Sequence, residues 1–394
     1  MKIISSISQK IDSRVAIEEC LMILEKELTE PSIILCYFTE EHNEKIILSL
    51  LKKQFPNSKI HGCTSCQGIM TDDGFVSNSA LAVWVLIDTK NGRYGTSISE
   101  YHNADSVQLL TIKLLESAIS DSGREGELPS LVLLHATSGY EEIIISTIDD
   151  FFGTPVPLIG GTAADNHNKG NWCIFTQDDV VNSGISISVF YPSCKVSYSF
   201  HSGYAPFDIS GIATKTNKRT LYEIDNRPIV EVYKEWTQMS DLINKDQNLL
   251  EHMAQYPLGR IAGYMDTVPY FKLAHPTKIT HDGGIECFAD INVGEEIHMM
   301  YGEKDQIISR PQRVINSAIG YQQISFAPIG GINIFCAGSM MHIKSSMLDV
   351  CDSVNAAMHE APFICPFTFG EQGRFTGGEN AHGNLMVSTV LFHY

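Results

Sequence analysis

One pattern occurs three times along the chain and limits what it can fold into more than any other feature. It is a strand-like run, an amphipathic helix, and a second apolar run ending in small residues. The fullest ending is Pro157 to Asp165 (PLIGGTAAD), a short buried strand whose glycine pair opens into a tight turn where backbone N–H groups can face a ligand. In the first copy Ser32 to Phe38 is the strand, Glu41 to Phe55 the helix with Ile47, Leu50, Leu51 and Phe55 on one face, and Lys59 to Cys66 (KIHGCTSC) the strand and turn. In the second, Leu131 to Ala136 is the strand and Tyr140 to Phe152 the helix, with Ile144, Ile148 and Phe151 aligned. In the third, Gly331 to Ala337 is followed by Ile343, Met347, Val350, Val354 and Met358 at helical spacing, and Pro362 to Gly373 closes the unit. A further helix precedes each copy: Asp12 to Leu28, Ser106 to Ile119, and about Gln306 to Ile319. Three matching units predict duplicated α/β modules.

Between the units the pattern turns to alternation. Ser77 to Thr89 and Arg93 to Glu100 read as neighbouring strands with Lys90-Asn91-Gly92 as their hairpin turn. Ile185, Ile187 and Val189, then Val196, Tyr198 and Phe200, alternate around Tyr191-Pro192-Ser193 and read as a meander. Strand-like ISGIATKT and RTLYEID lead into residues 229 to 255, a mostly helical connection. A second meander runs through Arg260 to Met265, Tyr270 to Ala274, Ile285 to Ile291 and Glu296 to Tyr301, with turns at Asp282-Gly283-Gly284 and Val293-Gly294. The fold class is therefore mixed α/β, with repeated strand–helix–strand units and antiparallel meanders.

Charge and cysteine usage exclude several function classes. A net charge of −18 without clustered Lys or Arg argues against nucleic acid and an anionic membrane surface. The 28-residue stretch Val314 to Met341 lacks Asp, Glu, Lys and Arg but is broken by Pro328 and four glycines, so it is not written as a spanning helix. MKIISSISQK has no apolar core followed by a cleavage site, so no signal peptide is expected. Ten cysteines then predict reduced thiols in a cytoplasmic protein; Cys20, Cys36, Cys336 and Cys351 sit in apolar periodic runs as small hydrophobes. Cys63 and Cys66 form a C-x-x-C without a second pair, a completing histidine set or a following helix, which leaves zinc and redox chemistry little support. Phosphate-loop, dinucleotide and serine-elbow motifs are absent.

Carboxyl ends of parallel strands are where α/β proteins bind ligands, and here those ends are Cys36, His135 and Cys336 with their partner turns. If the three turns converge, they form a pocket from Cys63, Thr64, Gly160, Gly161, Thr162, Asp165, Gly370 and Glu371. That is a binding site rather than a catalytic array, and no catalytic residue is assigned. An enzyme using Cys63 or Cys36 as nucleophile, with His135 and Asp165, is the chemical alternative.

Gly62-Cys63-Thr64-Ser65 and Leu158 to Asp165 are similar to the two turn motifs of FIST-domain proteins. The resemblance continues through Ser202-Gly203-Tyr204, Glu223-Ile224-Asp225, Phe335-Cys336, Phe369-Gly370-Glu371 and a late Asn384. It covers nearly the whole chain and implies an N-terminal FIST domain over 1–220 and a C-terminal one over 221–394. Two positions depart from the family pattern: Ser339 stands where the family often has Arg, and Gln67-Gly68 replace Gly-Glu, which removes the Arg that would favour a carboxylate there. The resemblance implies a sensory ligand-binding protein. The stand-alone nitric-oxide-sensing group that the chain resembles further implies haem b and a partner sensor histidine kinase. An iron ligand would then be a neutral histidine, with His201, His135 and His167 as candidates. A small amino-acid-like metabolite sensed without metal is the alternative within the same fold, and a homodimer is left open.

Overall fold

The structure is a computed structural model describing residues 1–25, 30–101, 103, 106–238, 253–265, 267–321 and 326–394. Among them are eight α-helices and four sheets, a mixed α/β fold. The far ends of the helices expected over 12–28 and 229–255 lie partly outside the described residues.

All three repeat units form as strand, helix and parallel strand. Ile33–Phe38 pairs with Lys59–Thr64, Leu131–Ala136 with Leu158–Thr162, and Gly330–Cys336 with Phe363–Thr368. Each parallel pair is the centre of one six-stranded sheet. Each sheet continues on one side through two antiparallel strands of its own unit. These are Leu81–Ile87 and Lys2–Ser8, Gly184–Tyr191 and Arg93–Glu100, and Met386–His393 and Lys195–Ser202.

On its other side each sheet is completed by a hairpin borrowed from another unit. The strands after the first turn, Gly68–Thr71 and Gly74–Ser77, join the third sheet. Ile174–Thr176 and Val180–Val181, after the second, join the first sheet, and Glu371–Arg374 and Asn380–Gly383, after the third, join the second. The exchange closes into a ring of three.

This arrangement corrects two expected pairings. Leu81–Ile87 already has Lys2–Ser8 and Ile33–Phe38 on its two edges, so no ladder remains for Arg93–Glu100, which pairs instead with Gly184–Tyr191. For the same reason Gly184–Tyr191 and Lys195–Ser202 are not a meander; the chain leaves the second sheet for the third at Pro192. Both links carry turn residues, and sequence alternation does not say which sheet the next strand enters.

The inner faces of the three sheets share one apolar core, made by Ile33, Leu35 and Tyr37, by Leu131, Leu133 and Ile159, and by Ile332, Ile334 and Ile364. Alternate residues face outward. Ile34, Cys36 and Phe38 meet the helices Ser13–Glu25 and Glu44–Gln54, and Val132, Leu134 and Ala136 meet Val107–Ser122 and Glu141–Phe152. The third sheet is covered by Lys304–Tyr321 and Met347–Met358. Strands buried on both faces explain the unbroken apolar runs in the sequence. The strands expected as a second meander form but do not pair in chain order: Leu258–Met265 pairs with Val268–Ala274 and Glu296–Tyr301, and Ile285–Cys287 with Pro276–Ile279 and Thr220–Ile224. With Ala205–Asn217 they build a separate antiparallel sheet inserted between the edge strand and the helix of the third unit.

The glycine pair Gly160-Gly161 continues its strand, and neither residue has a positive φ. What requires glycine is close approach. A Cβ on Gly160 would lie 1.9 Å from the Leu134 carbonyl oxygen, and Gly62, at the same register in the first sheet, would place one 1.8 Å from that of Cys36. Gly160→Ala is therefore expected to destabilise the fold by about 3 kcal/mol, because backbone cannot yield as a side chain can. Gly320→Ala, on an exposed helical position where an added Cβ meets nothing within 4 Å, should stabilise by about 0.5 kcal/mol. Urea unfolding of both variants checks the opposite signs.

Candidate functional site

The three turns converge, and backbone hydrogen bonds tie each to the others. Ala164 N–H donates to the Thr64 carbonyl at 3.1 Å, Cys66 N–H to that of Phe367 at 2.9 Å, and Thr162 N–H to that of Gly370 at 2.8 Å. Thr64, Thr162 and Thr368 occupy the same register, opposite Phe38, Ala136 and Cys336. All eight residues expected to line a pocket are buried: Cys63, Thr64, Gly160, Gly161, Thr162, Asp165, Gly370 and Glu371. The bends are thus brought together as the sequence suggests, but many of the amides expected to face a ligand are used in joining them.

Cys63 and His135 lie at this end of the inner core. The His135 ring is engaged at both nitrogens, with Nδ1–H donating to the Gly161 carbonyl at 2.8 Å and Nε2 accepting from the Tyr37 hydroxyl at 2.9 Å. Cys63 Sγ is 3.6 Å from Nδ1, and burial pushes its thiol pKa well above the ordinary range. Burial also pushes His135 down to about 4, partly offset by the Gly161 carbonyl. A neutral thiol beside a neutral, fully engaged imidazole is not an activated nucleophile. Asp165 does not complete a triad: its carboxylate accepts from the backbone N–H groups of His167, Lys169 and Asn171 and so holds its own loop.

The chemistry is richer at the third turn, around Glu371. Its carboxyl is fully buried, accepts from Thr368 Oγ1 at 3.0 Å and Met386 N–H at 3.0 Å, and adjoins Cys336. Burial outweighs these hydrogen bonds and raises its pKa to about 8, so it is mostly protonated at neutral pH. Tyr204 lies against Cys336, Ser339 and Glu371, and its hydroxyl, though beside that of Ser339, makes no hydrogen bond of normal geometry among the described residues. Ser339 Oγ, Asn384 Nδ2 and Gln372 Oε1 likewise have none. Asn384 is held by its Oδ1, which accepts from His275 N–H at 3.0 Å, and Nδ2 lies 3.3 Å from where a Gly370 Cβ would be. Phe369 forms the wall, stacked on Phe288 at 5.9 Å and edge-on to Trp172 at 6.2 Å. Unsatisfied buried polar atoms are costly, so Tyr204 Oη, Ser339 Oγ and Asn384 Nδ2 single out the third turn as the candidate for a polar ligand, while Gln372 faces the other side of its strand, toward Thr162.

A second polar cluster joins the core to the inserted sheet. Glu141, Glu142 and His382 bring potential metal-ligand atoms within 4.8 Å of one another. Arg219 already fills the place of a cation, bonded to Glu141 and, at 3.0 Å, to Glu142. The other oxygens accept from Thr162 Oγ1 at 2.7 Å and Asp290 N–H at 2.9 Å, so the cluster is a closed ion-pair network. Desolvation works against it, but Arg219 holds Glu141 down at about 2. Nothing local in the sequence announces this cluster: Arg219 comes 78 residues after Glu141 and 77 after Glu142 in the chain. Tyr204, Cys336 and Asn384 were visible as resemblance-bearing motifs, whereas Gln372 and His275 carried no signal.

The three candidate histidines occupy different surroundings. His135 is closed, as described. His167 is exposed in the loop held by Asp165. His201, on Lys195–Ser202, packs edge-on to Phe375 at 5.7 Å, and no hydrogen bond reaches its ring among the described residues. Its strand companions Ser197 and Ser199, which alternation alone would allow at a solvent face, are buried.

The scaffold is a repeated α/β fold whose third turn carries a buried cluster of under-satisfied polar atoms. The chain belongs to the FIST family: a FIST N domain matches residues 32–227 and a FIST C domain residues 230–374. FIST domains are sensory, ligand-binding domains of signal transduction. An uncharacterised protein of Methanocaldococcus jannaschii is 30% identical over 113 residues, 26% of this chain and 22% of that protein, so the chain spans about a fifth of that relative. A cyanuric acid hydrolase from A. caulinodans aligns over 100% of both chains with a TM-score of 0.40 and 7% identity. No described helix is long and apolar enough to cross a membrane.

Glu371 makes stability depend on pH with a definite sign. Its folded pKa of about 8 lies above its ordinary 4.5, so the folded protein holds this proton more tightly than the unfolded chain does. The term is most favourable below the ordinary value and is lost as pH rises through about 8. From about pH 5 to about pH 9 the wild type should lose on the order of 3 kcal/mol relative to Glu371→Gln. Urea midpoints of the two proteins across that range measure the difference, and parallel curves would show that the carboxyl is ionised.

Proposed function

We propose that this protein senses a small polar molecule held around Glu371 and passes its occupancy to a signalling partner, for which the family resemblance suggests a sensor histidine kinase. The observation that carries this reading is the group of buried atoms without a partner among the described residues, Tyr204 Oη, Ser339 Oγ and Asn384 Nδ2, at the turn whose Glu371 carboxyl burial holds neutral. Hydroxyls that donate or accept, an amide donor and a carboxyl that can give up its proton suit a neutral or cationic molecule. With Ser339 in the family's arginine position, no fixed positive charge there favours a carboxylate. A cationic ligand would ionise Glu371 and release a proton. Thermal-shift screening of small polar metabolites is expected to give a ligand whose stabilisation falls at least about tenfold in apparent affinity in Tyr204→Phe and Asn384→Ala. Calorimetry in buffers of different ionisation enthalpy then reads the proton. Ligands unaffected by both substitutions would remove the pocket from consideration.

Haem b on His201, serving nitric oxide sensing, is the second reading. Burial, with Arg310 and Arg313, pushes the His201 pKa to about 4, which keeps the imidazole neutral as an iron ligand must be. Arg310 Nε is a buried donor without a partner, suited to a haem carboxylate. Haem would supply an iron able to take a diatomic gas. His201→Ala should abolish a Soret band that His135→Ala and His167→Ala retain; no band after haem addition to the wild type would exclude this reading.

A further inference from the structure

We infer a second small-molecule site, for a small carboxylate that carries a hydrogen-bond donor beside its carboxyl group. It lies in the cleft of about 220 Å³ where the inserted sheet meets the second unit. Arg260 and Lys272 reach it from Leu258–Met265 and Val268–Ala274, Asp149 from the helix Glu141–Phe152, and Asn380 and His382 from Asn380–Gly383.

Arg260 is the central observation. It is 4% exposed, and its guanidinium is satisfied on one side only, where Nη1 donates to the Asp290 carbonyl and lies 3.8 Å from Glu295. Nε and Nη2 have no partner among the described residues. Those two N–H groups form the side-on edge of a guanidinium, and their parallel directions match the two oxygens of a carboxylate. The same cleft offers two acceptors. Asn380 Nδ2 is committed to Asp149 at 2.5 Å and the Val156 carbonyl at 2.8 Å, which fixes Oδ1 as a partnerless acceptor. His382 Nε2 bonds the Phe288 carbonyl at 3.3 Å and so carries the proton, leaving the partnerless Nδ1 as a lone pair. Two donors on one plane and two acceptors nearby describe a carboxylate with an adjacent hydroxyl.

Three acidic side chains line the same cleft and would oppose an anion if they were uncompensated. They are offset in part: Arg219 shares its charge among Glu141, Asp290 and, at 3.0 Å, Glu142, Lys272 faces Glu379 at 3.6 Å, and Asp149 accepts from the neutral Asn380 amide. Among these charges Arg260 is the one with open donors, since Glu295 lies 3.8 Å from Nη1 and nothing among the described residues meets Nε or Nη2, so a carboxylate would be held by that donor edge rather than by the net charge of the cleft. A bound carboxylate would also bridge two parts of the molecule, since Arg260 belongs to the inserted sheet and Asn380 to the second of the three sheets.

Lactate, propionate and lactamide separate the elements of this site, titrated into the full-length protein by calorimetry or ligand-observed NMR. Lactate should bind, propionate more weakly for want of a hydroxyl, and lactamide not at all. Arg260→Lys keeps the charge but removes the side-on edge and should weaken lactate about tenfold or more. Ser146→Trp, at an exposed position on the rim, should block binding without disturbing the core, so the site stays testable if Arg260→Lys folds poorly. Tyr204→Phe should leave lactate binding intact, which distinguishes this cleft from the Glu371 pocket. Equal binding of lactate and lactamide, lactate binding unchanged in both Arg260→Lys and Ser146→Trp, or no lactate binding by the wild type would overturn the inference.

Discussion

The mutual hydrogen bonding of the three turns is the constraint on which the remainder depends. Ala164 to Thr64, Cys66 to Phe367 and Thr162 to Gly370 fix the ends of three parallel strand pairs at one place. Once those ends are fixed, each sheet must present one face to the other two, and Leu35, Leu133 and Ile334 meet in a common interior. Within their parallel pairs, strand positions such as Gly62 and Gly160 leave no space for a Cβ beside the carbonyl of the neighbouring strand. Exchange of the following hairpins completes the restraint, because every sheet contains a ladder that ends only when another unit unfolds.

The near-threefold plan lets one position serve three purposes. Three residues beyond the matched threonines lie Gln67, Asp165 and Glu371. Gln67 bonds Asn166 and Lys344 at the surface, Asp165 holds a loop through three backbone amides, and Glu371 is sealed in a neutral state beside partnerless polar atoms. The difference lies in what covers each turn. Over the third turn lie Phe288 and His275 of the inserted sheet region, which exclude water and raise the carboxyl pKa. The symmetry is broken where the chain carries its insertion, and that is where the strongest ligand chemistry collects.

Much of this was legible in the sequence, and the limits have physical causes. The units were readable because strands such as Ile33–Phe38 and Leu131–Ala136 are apolar throughout and their helices are amphipathic. Their convergence followed from the repeated small-residue ends. Strand partners were not readable across Lys90-Asn91-Gly92 or Tyr191-Pro192-Ser193, since a turn signal specifies a change of direction and not the destination. Among the candidate pocket residues, Gly370 and Glu371 stand at the polar pocket, while Cys63 belongs to the inner core with His135 and Tyr37. Arg219, in the turn between two strands, and Arg260, within a strand, gave no warning, because a largely buried arginine differs from a surface one only through distant partners.

The exchanged hairpins also bear on how such proteins are inherited. Gly68–Thr71 belongs to the FIST N match yet completes a sheet built on Phe363–Thr368 of the FIST C match, while Glu371–Arg374 makes the reverse crossing. A gene fragment encoding either half would yield a polypeptide with open sheet edges and missing strands, prone to associate with whatever edge it meets. Recombination can therefore move the two halves successfully only as a single cassette, and tandem occurrence is a mechanical requirement of the architecture.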